Sequence, residues 1–387
     1  MSNPAHAIAL PPLSLYIHIP WCIKKCPYCD FNSHAVRGDI PQQAYINALL
    51  ADLRRESAAA QGRKIETIFI GGGTPSLFTA QGIADILQGA EKIIPFADDI
   101  EITMEANPGT FEQARFTGFK EAGVNRLSIG VQSFNDQHLE QLGRIHSGAD
   151  AQKAIASALE IGFEHLNIDL MHGLADQSSD QALLDIQTAI DLGCDHLSWY
   201  QLTIEPNTEF HSRPPALPES DILWDIQQQG QALIAEAGFN QYEISAYAKA
   251  NSRAKHNLNY WQFGDYIGIG AGAHGKVSFI DEQKQRLQIS RRWKQRSPKA
   301  YLTNIDPLGG QNVISADELP FEFMMNALRL NKGVPASYYQ QRTGLPLSDI
   351  QNALDAAQKQ GLLEVGKTIT PTQQGSLFLN DLLTHFI

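Results

Sequence analysis

The sequence predicts an α/β protein, a partial (β/α)6 barrel followed by a mainly helical, winged-helix-like C-terminal segment. Three observations carry that expectation. From residue 14 to about 240, short β-rich runs alternate six times with amphipathic stretches at helical spacing, the pattern of parallel strands with covering helices. Each run ends in a cluster of polar, Gly or Pro residues, and in parallel α/β architectures the working groups gather at the carboxyl ends of strands. Six such ends feeding one site suit a curved sheet better than a flat one. From about residue 320 the alternation gives way to helical runs and one hairpin.

The six strand candidates are "SLYIHI" (14–19), "IETIFIGG" (65–72), "EITMEAN" (101–107), "RLSIGVQS" (126–133), "HLNIDLMHG" (165–173) and "HLSWYQLT" (196–203). Helical patterns lie between them at 41–60, 79–94, 110–123, 148–162 and 179–193, with a sixth at 219–238. Several close on Gly, as helix C termini often do. The segment 242–280 mixes strand-like and Gly-rich pieces. The closing stretch reads as helix, turn, helix and a short hairpin. This gives an N-terminal arm (1–13), a barrel (14–240), an extension (241–310) and a winged-helix-like domain (311–387). A chain of 387 residues is long for one compact core, which fits that division.

Charge and cysteine usage exclude several function classes. The net charge is -12, the wrong sign for a general nucleic-acid partner. The 311–387 segment holds seven acidic against five basic residues, so its winged-helix-like pattern is read as a lid or docking module rather than a DNA reader. The opening residues lack the basic and apolar regions of a signal peptide, and no apolar run is long enough to span a membrane. Four cysteines, three of them clustered, do not make a secreted disulfide framework. A cytoplasmic protein with a metal centre is the expectation. Cys194 reads as a small buried residue.

The cluster is Cys22, Cys26 and Cys29, spaced C-x3-C-x2-C in "CIKKCPYC". Three thiolates do not close the tetrahedron of structural zinc; His34 is the best candidate for a fourth ligand. The other reading is an iron–sulfur cluster with one iron left open to an exchangeable small molecule. S-adenosylmethionine is the cofactor that works beside such clusters.

C-x3-C-x2-C with Tyr28 before its last Cys resembles the radical S-adenosylmethionine signature. Together with "GGGTPS", "EANP", "RLSIGVQSF", "LGRIH" and "IDLMHGL", it looks like the oxygen-independent coproporphyrinogen III oxidase family. "KHNLNYW" and "GIGAGAHG" resemble the HemW-type haem-chaperone branch of that family. The resemblance covers residues 14 to about 380 and implies a radical-SAM barrel. It implies that Cys22, Cys26 and Cys29 hold a 4Fe-4S cluster, with Tyr16 and Tyr28 near the S-adenosylmethionine. Gly71, Gly72, Gly73 and Thr74 would pass under the methionine part, where a backbone without Cβ admits a close approach. Glu105 would bond the ribose or amine. Gln132, Arg144 and Asp169 would be further contacts to one or two S-adenosylmethionines or to substrate, Arg144 through its carboxylate-matching fork. Each has a plainer reading: Glu105 as a helix cap, Gln132 and Asp169 as partners for strand-end backbone, Arg144 as a surface ion pair.

The chain departs from the oxidase of that family. Phe31 stands where the oxidase has a further Cys, only about 15 residues precede the first strand where the oxidase has a longer arm, and Ala175 replaces a common Pro. The first two argue against decarboxylation of coproporphyrinogen and towards carrying haem. His256 is the expected haem ligand, with Tyr260 and Trp261 as flat faces for the macrocycle. The competing reading is that His256 and Asn257 form a buried hydrogen-bonded corner. His274 is the second candidate. A run at 284–299 has seven Lys or Arg and no acid, and reads as a solvated face, a haem-propionate site or an anionic-membrane contact. The expected partners are haem and a haem-accepting protein, in the cytoplasm or at the membrane surface. Monomer and homodimer both stay open.

Overall fold

A computed structural model describes residues 9–109, 114–281 and 286–387. Most of the N-terminal arm (1–8), the start of the helix expected from 110, and Lys284 of the basic run lie outside the described residues.

The main sheet has twelve strands. In chain order they are β1 (Leu13–Ile19), β2 (Ile65–Gly72), β3 (Phe96–Ala106), β4 (Arg126–Gln132), β5 (His165–His172), β6 (His196–Gln201), β7 (Asn240–Gln241), β8 (Ala246–Ala248), β9 (Asp265–Ile269), β10 (His274–Asp281), β11 (Arg286–Lys294) and β12 (Leu308–Val313). Their spatial order is β12-β11-β10-β9-β1-β2-β3-β4-β5-β6-β8-β7. The six strands read from the sequence lie side by side and parallel, β1 through β6. A seventh parallel strand, β9, adds to the free side of β1. The sheet stays open, because β6 pairs with antiparallel β8 and does not return to β9.

Local sequence explains these elements. β1 alternates in sequence yet is buried on both faces: Leu13, Leu15, Ile17 and Ile19 fill the core, while Ser14 and His18 on the other face find partners in the Thr67 hydroxyl (2.7 Å) and the Asn32 carbonyl (2.9 Å). The helix Gly148–Ile161 starts with a reciprocal Ser147–Asp150 capping box and stops at left-handed Gly162. It lays Ala151, Ala154, Ile155 and Ala158 on the sheet. The helix Ser179–Asp191 repeats the device with Ser178 and Gln181.

The extension forms an antiparallel meander, β9 to β12, continuing the sheet beyond β1. Buried ion pairs tie it down. Lys294 Nζ lies 2.6 Å from Asp52 Oδ1 and 2.5 Å from Glu56 Oε1 on the helix Gln42–Glu56. Arg292 also pairs with Glu56, and Arg291 pairs with Glu322. The basic run is therefore not one solvated face. Period-two strand geometry turns part of it inward, where its charges are matched.

The last segment carries helices Leu319–Ala327, Ser337–Thr343 and Gln351–Lys359, then antiparallel Leu363–Val365 and Thr368–Pro371. Phe323, Tyr339 and Leu354 share a second hydrophobic core with Tyr242, Phe263 and Ile289 of the extension. No helix of the described residues is long and apolar enough to cross a membrane.

Candidate cluster and macrocycle site

The chain leaves β1 through Pro20 into the cysteine loop. Trp21–Cys22 runs parallel to His34–Ala35, so a short ladder joins the two ends of the loop. Trp21 packs edge-on against buried Tyr45, ring centroids 4.7 Å apart, and anchors that ladder. Inside the loop, the Cys29 N–H donates to the Cys26 carbonyl at 3.1 Å. All four cysteines are free thiols. Cys194 is fully buried and burial pushes its thiol up to about 12, which makes it inert.

The three loop thiols open into a cavity of about 500 Å3 at the carboxyl ends of β1 to β6. Tyr28, Gly72, Gly73, Thr74 and Glu105 line it with them. Gln132, Arg144 and Asp169, also singled out in the sequence, line it as well, whereas Gly71 does not. Among the described residues, no three His, Cys, Asp or Glu side chains converge on one point as a single metal ion requires. His34 turns instead to the Arg296 carbonyl. Thiols spread around one cavity suit a polynuclear cluster, where each thiolate takes a different iron. The donor set thus fits a cluster better than zinc.

The glycine turn after β2 has a sharper cause than ligand approach alone. Gly72 has φ +112°, and a Cβ there would lie 2.4 Å from the His18 ring. A Cβ on Gly73 would meet the Trp21 carbonyl at 2.5 Å. The turn is bare because the cysteine loop crosses over it. Its backbone bonds to that loop, Gly73 N–H to Ile19 O and Thr74 N–H to Trp21 O, both at 2.7 Å.

Glu105 at the end of β3 accepts from the Gly72 N–H at 3.0 Å rather than capping a helix. Burial and the nearby Asp169 charge push its carboxyl up to about 7. Asp169 is also raised by burial, against bonds from Asn167 (2.8 Å) and Ser128 (3.0 Å). Gln132 adopts φ +72°, a conformation a non-Gly residue holds only under constraint. Its Oε1 accepts from the Tyr200 hydroxyl at 2.9 Å. Arg144 is not a surface ion pair. Its Nη2 donates to Asn107 Oδ1 (2.8 Å) and the Gly130 carbonyl (2.6 Å), and Nη1 points at Cys26 Sγ (3.8 Å). Burial opposes its charge, but the neighbouring Tyr28 and Cys26 groups keep the guanidinium protonated. Burial raises the Cys22 thiol, with bonds from Thr74 and Ser33 acting the other way.

Two expected residues lie elsewhere. Tyr16 faces a second, larger cleft of about 980 Å3, its hydroxyl 2.9 Å from His18 Nδ1. His256 lines neither cavity. It is 0% exposed, with Nδ1 2.8 Å from Thr67 Oγ1 and Nε2 2.9 Å from the Tyr260 hydroxyl. Burial lowers its pKa to about 3. With both ring nitrogens engaged, His256 has no lone pair directed at a ligand; the buried-corner reading holds for His256, while Asn257 is half-buried and lines the thiol cavity instead. The larger cleft is lined by Tyr260, Trp261, Tyr266, His274 and Trp293. It borders the thiol cavity through Phe31, Gly72, Glu105 and Trp261, which line both. Phe31 is 60% exposed.

Sequence reasoning missed Asn107, Ser128, Ser198 and Tyr200 in the thiol cavity. Asn107 and Tyr200 stand at the ends of β3 and β6, where strand-end position was the available signal; Ser128 and Ser198 sit inside β4 and β6 and had none. In the cleft, Arg291 and Arg296 belong to the basic run singled out in the sequence, whereas Met325 comes from a distant helix and had no such signal.

The "Radical SAM superfamily" family model matches residues 16–186, and the "HemN C-terminal domain" model matches 314–378. The Heme chaperone HemW of Escherichia coli (strain K12) is 52% identical over 381 residues, 98% of this chain and 99% of that protein. HemW of Bacillus subtilis (strain 168) is 33% identical over 97% of this chain and 99% of its own length. The mitochondrial Radical S-adenosyl methionine domain-containing protein 1 of Bos taurus is 34% identical, covering 90% of this chain and 81% of its own. Among solved structures, coproporphyrinogen III oxidase (HemN) from Escherichia coli superposes with TM-score 0.81 over 100% of this chain and 93% of its own. At 23% identity that likeness is one of fold. With full-length identity of that order and this arrangement of thiols, the chain belongs to the HemW family of the radical S-adenosylmethionine superfamily.

Proposed function

We propose that the protein is a haem chaperone: it holds haem and passes it to an acceptor apoprotein, with a 4Fe-4S cluster on Cys22, Cys26 and Cys29 and S-adenosylmethionine in the adjoining cavity. The observation that carries this reading is the pairing of two spaces. A thiol-lined cavity opens on an aromatic cleft of about 980 Å3, at the upper end of small-ligand pockets. The names of the full-length relatives point the same way. Phe31, exposed on the boundary, is apolar where the resembling oxidase has a thiol, which fits holding a macrocycle better than reacting with its precursor.

A cluster held by three thiolates supplies an electron and an iron free of protein ligands. The chain's own residues do the rest. Arg144 sets a fixed positive charge beside Cys26 on the cavity wall, suited to the negative charge of a thiolate-held cluster. Glu105 and Asp169 place two titratable carboxyls on the same cavity, suited to the positive charge of a sulfonium and an ammonium. Gln132 and Tyr200 close the far wall. The acceptor would be an apo-haem protein, in the cytoplasm or at a membrane face.

The test loads the anaerobically reconstituted protein with haem, removes free haem by gel filtration and adds an apo-b-type cytochrome. Haem should co-elute with the chain and then appear in the acceptor's spectrum. A chain that elutes without haem refutes the reading. Release of CO2 from coproporphyrinogen would favour an oxidase instead.

A further inference from the structure

We propose that the larger cleft is the haem-binding site, with the His274 imidazole as the iron ligand and the Arg296 guanidinium as the anchor of a propionate carboxylate. The inference rests on the haem-chaperone reading and places that function on particular atoms.

The lining suits a flat macrocycle. Tyr260 and Tyr266 meet edge to face with ring centroids 4.6 Å apart. Tyr266 pairs in register with Lys276, and His274 and Trp293, paired with each other, stand two residues along on the same face of β10 and β11, so one sheet face carries an aromatic floor with the imidazole set in it. The His274 and Trp293 rings lie 6.5 Å apart and 27° from parallel, so the indole steers the imidazole along that floor.

The imidazole is available where that of His256 is not. His274 is exposed and lines the cleft, and among the described residues its ring nitrogens have no hydrogen-bond partner. Partial burial, then the Arg291 and Arg296 charges, lower its pKa from the usual value. The ring is therefore neutral at pH 7, the form that ligates iron.

The cations sort themselves by their existing partners. Lys276 is committed to Asp265, and Arg291 to Glu322 and the Tyr266 hydroxyl. Arg296 lines the cleft, is exposed, and makes no ion pair among the described residues. Its chain position is held by Asn32 Nδ2, which donates to the Arg296 carbonyl at 2.9 Å. That bond joins the cleft rim to the loop that carries the cluster cysteines. A guanidinium fork without a partner, at the rim of an aromatic cleft, matches a carboxylate at the edge of a porphyrin.

The experiment titrates haem, and separately haem dimethyl ester, into the anaerobically reconstituted full-length protein and into His274→Ala and Arg296→Ala. Iron–sulfur content and thermal unfolding serve as folding controls. His274→Ala should shift the Soret maximum and weaken haem binding roughly tenfold or more, with added imidazole restoring the spectrum. Arg296→Ala should weaken haem by about tenfold while leaving the ester's affinity unchanged, because the ester carries no carboxylate. If folded His274→Ala binds haem with the parent's spectrum and affinity, or if Arg296→Ala weakens haem and ester alike, this site is wrong while the chaperone reading stands. If the parent protein itself binds no haem, both fall.

Discussion

Glu105→Gln separates the electrostatics of the thiol cavity from its shape. The amide keeps an oxygen for the Gly72 N–H but cannot ionise. Folding raises the Glu105 carboxyl from its ordinary 4.5 to about 7. Such a group keeps its proton in the folded chain after the unfolded chain has lost it. Stability therefore falls as pH climbs from 4.5 towards 7, and the deficit is complete above that. The full shift corresponds to roughly 3 kcal/mol. The carboxylate faces a cavity that admits water, so a deficit of about 1–3 kcal/mol is expected. The assay is urea unfolding of cluster-free protein and variant from pH 5 to 8. The variant should gain on the parent steadily as pH rises and level off near pH 7.5. Parallel curves would refute the reasoning. Added S-adenosylmethionine brings positive charge to the same carboxyl and should favour its ionised form, so its affinity for the parent should rise over this window and stay flat for the variant.

Three further outcomes follow from the same geometry. Cys22→Ser, Cys26→Ser and Cys29→Ser should each abolish stoichiometric iron and sulfide after anaerobic reconstitution, while Cys194→Ser retains both; a full cluster in any of the first three contradicts the site. Gly72→Ala forces a Cβ to within 2.4 Å of the His18 ring at φ +112°. It should cost roughly 2–5 kcal/mol in urea unfolding, and a variant as stable as the parent would show that the turn can yield. His256→Ala strips Thr67 and Tyr260 of a partner in a fully buried corner. A loss of about 2–4 kcal/mol is expected, with the haem Soret wavelength unmoved because the imidazole faces neither cavity.

The six barrel strands were legible because each is a local pattern. "SLYIHI" and "IETIFIGG" declare themselves by β-branched and aromatic residues bounded by Pro and Gly, and β1 and β2 fall within a residue of those bounds. β3 begins earlier than expected, at Phe96, because "FADDI" is too polar to read as strand. β9 was missed as the seventh parallel strand. Its "DYIGI" is short, and its partner β1 lies some 250 residues away, so neither periodicity nor loop length advertises the pairing. The thiol cavity was legible through motifs at strand ends. The environment of His256 was not. Its bond to Thr67 spans 189 residues, and no sequence pattern reports which way a ring nitrogen points. Likewise "GAGAHG" offered two plausible histidines to choose from with "HNLNYW", and only the cleft distinguishes the open imidazole from the engaged one.

The central claim is that one chain holds haem beside a three-thiolate cluster. The most direct measurement is an anaerobic haem titration of cluster-loaded protein, with haem, iron and sulfide counted on the same sample. The account predicts saturation at one haem per chain, with a Soret band, on protein that retains four irons and four sulfides. A cluster-loaded chain that shows no saturable Soret band, or that gives up its cluster as haem binds, would contradict it.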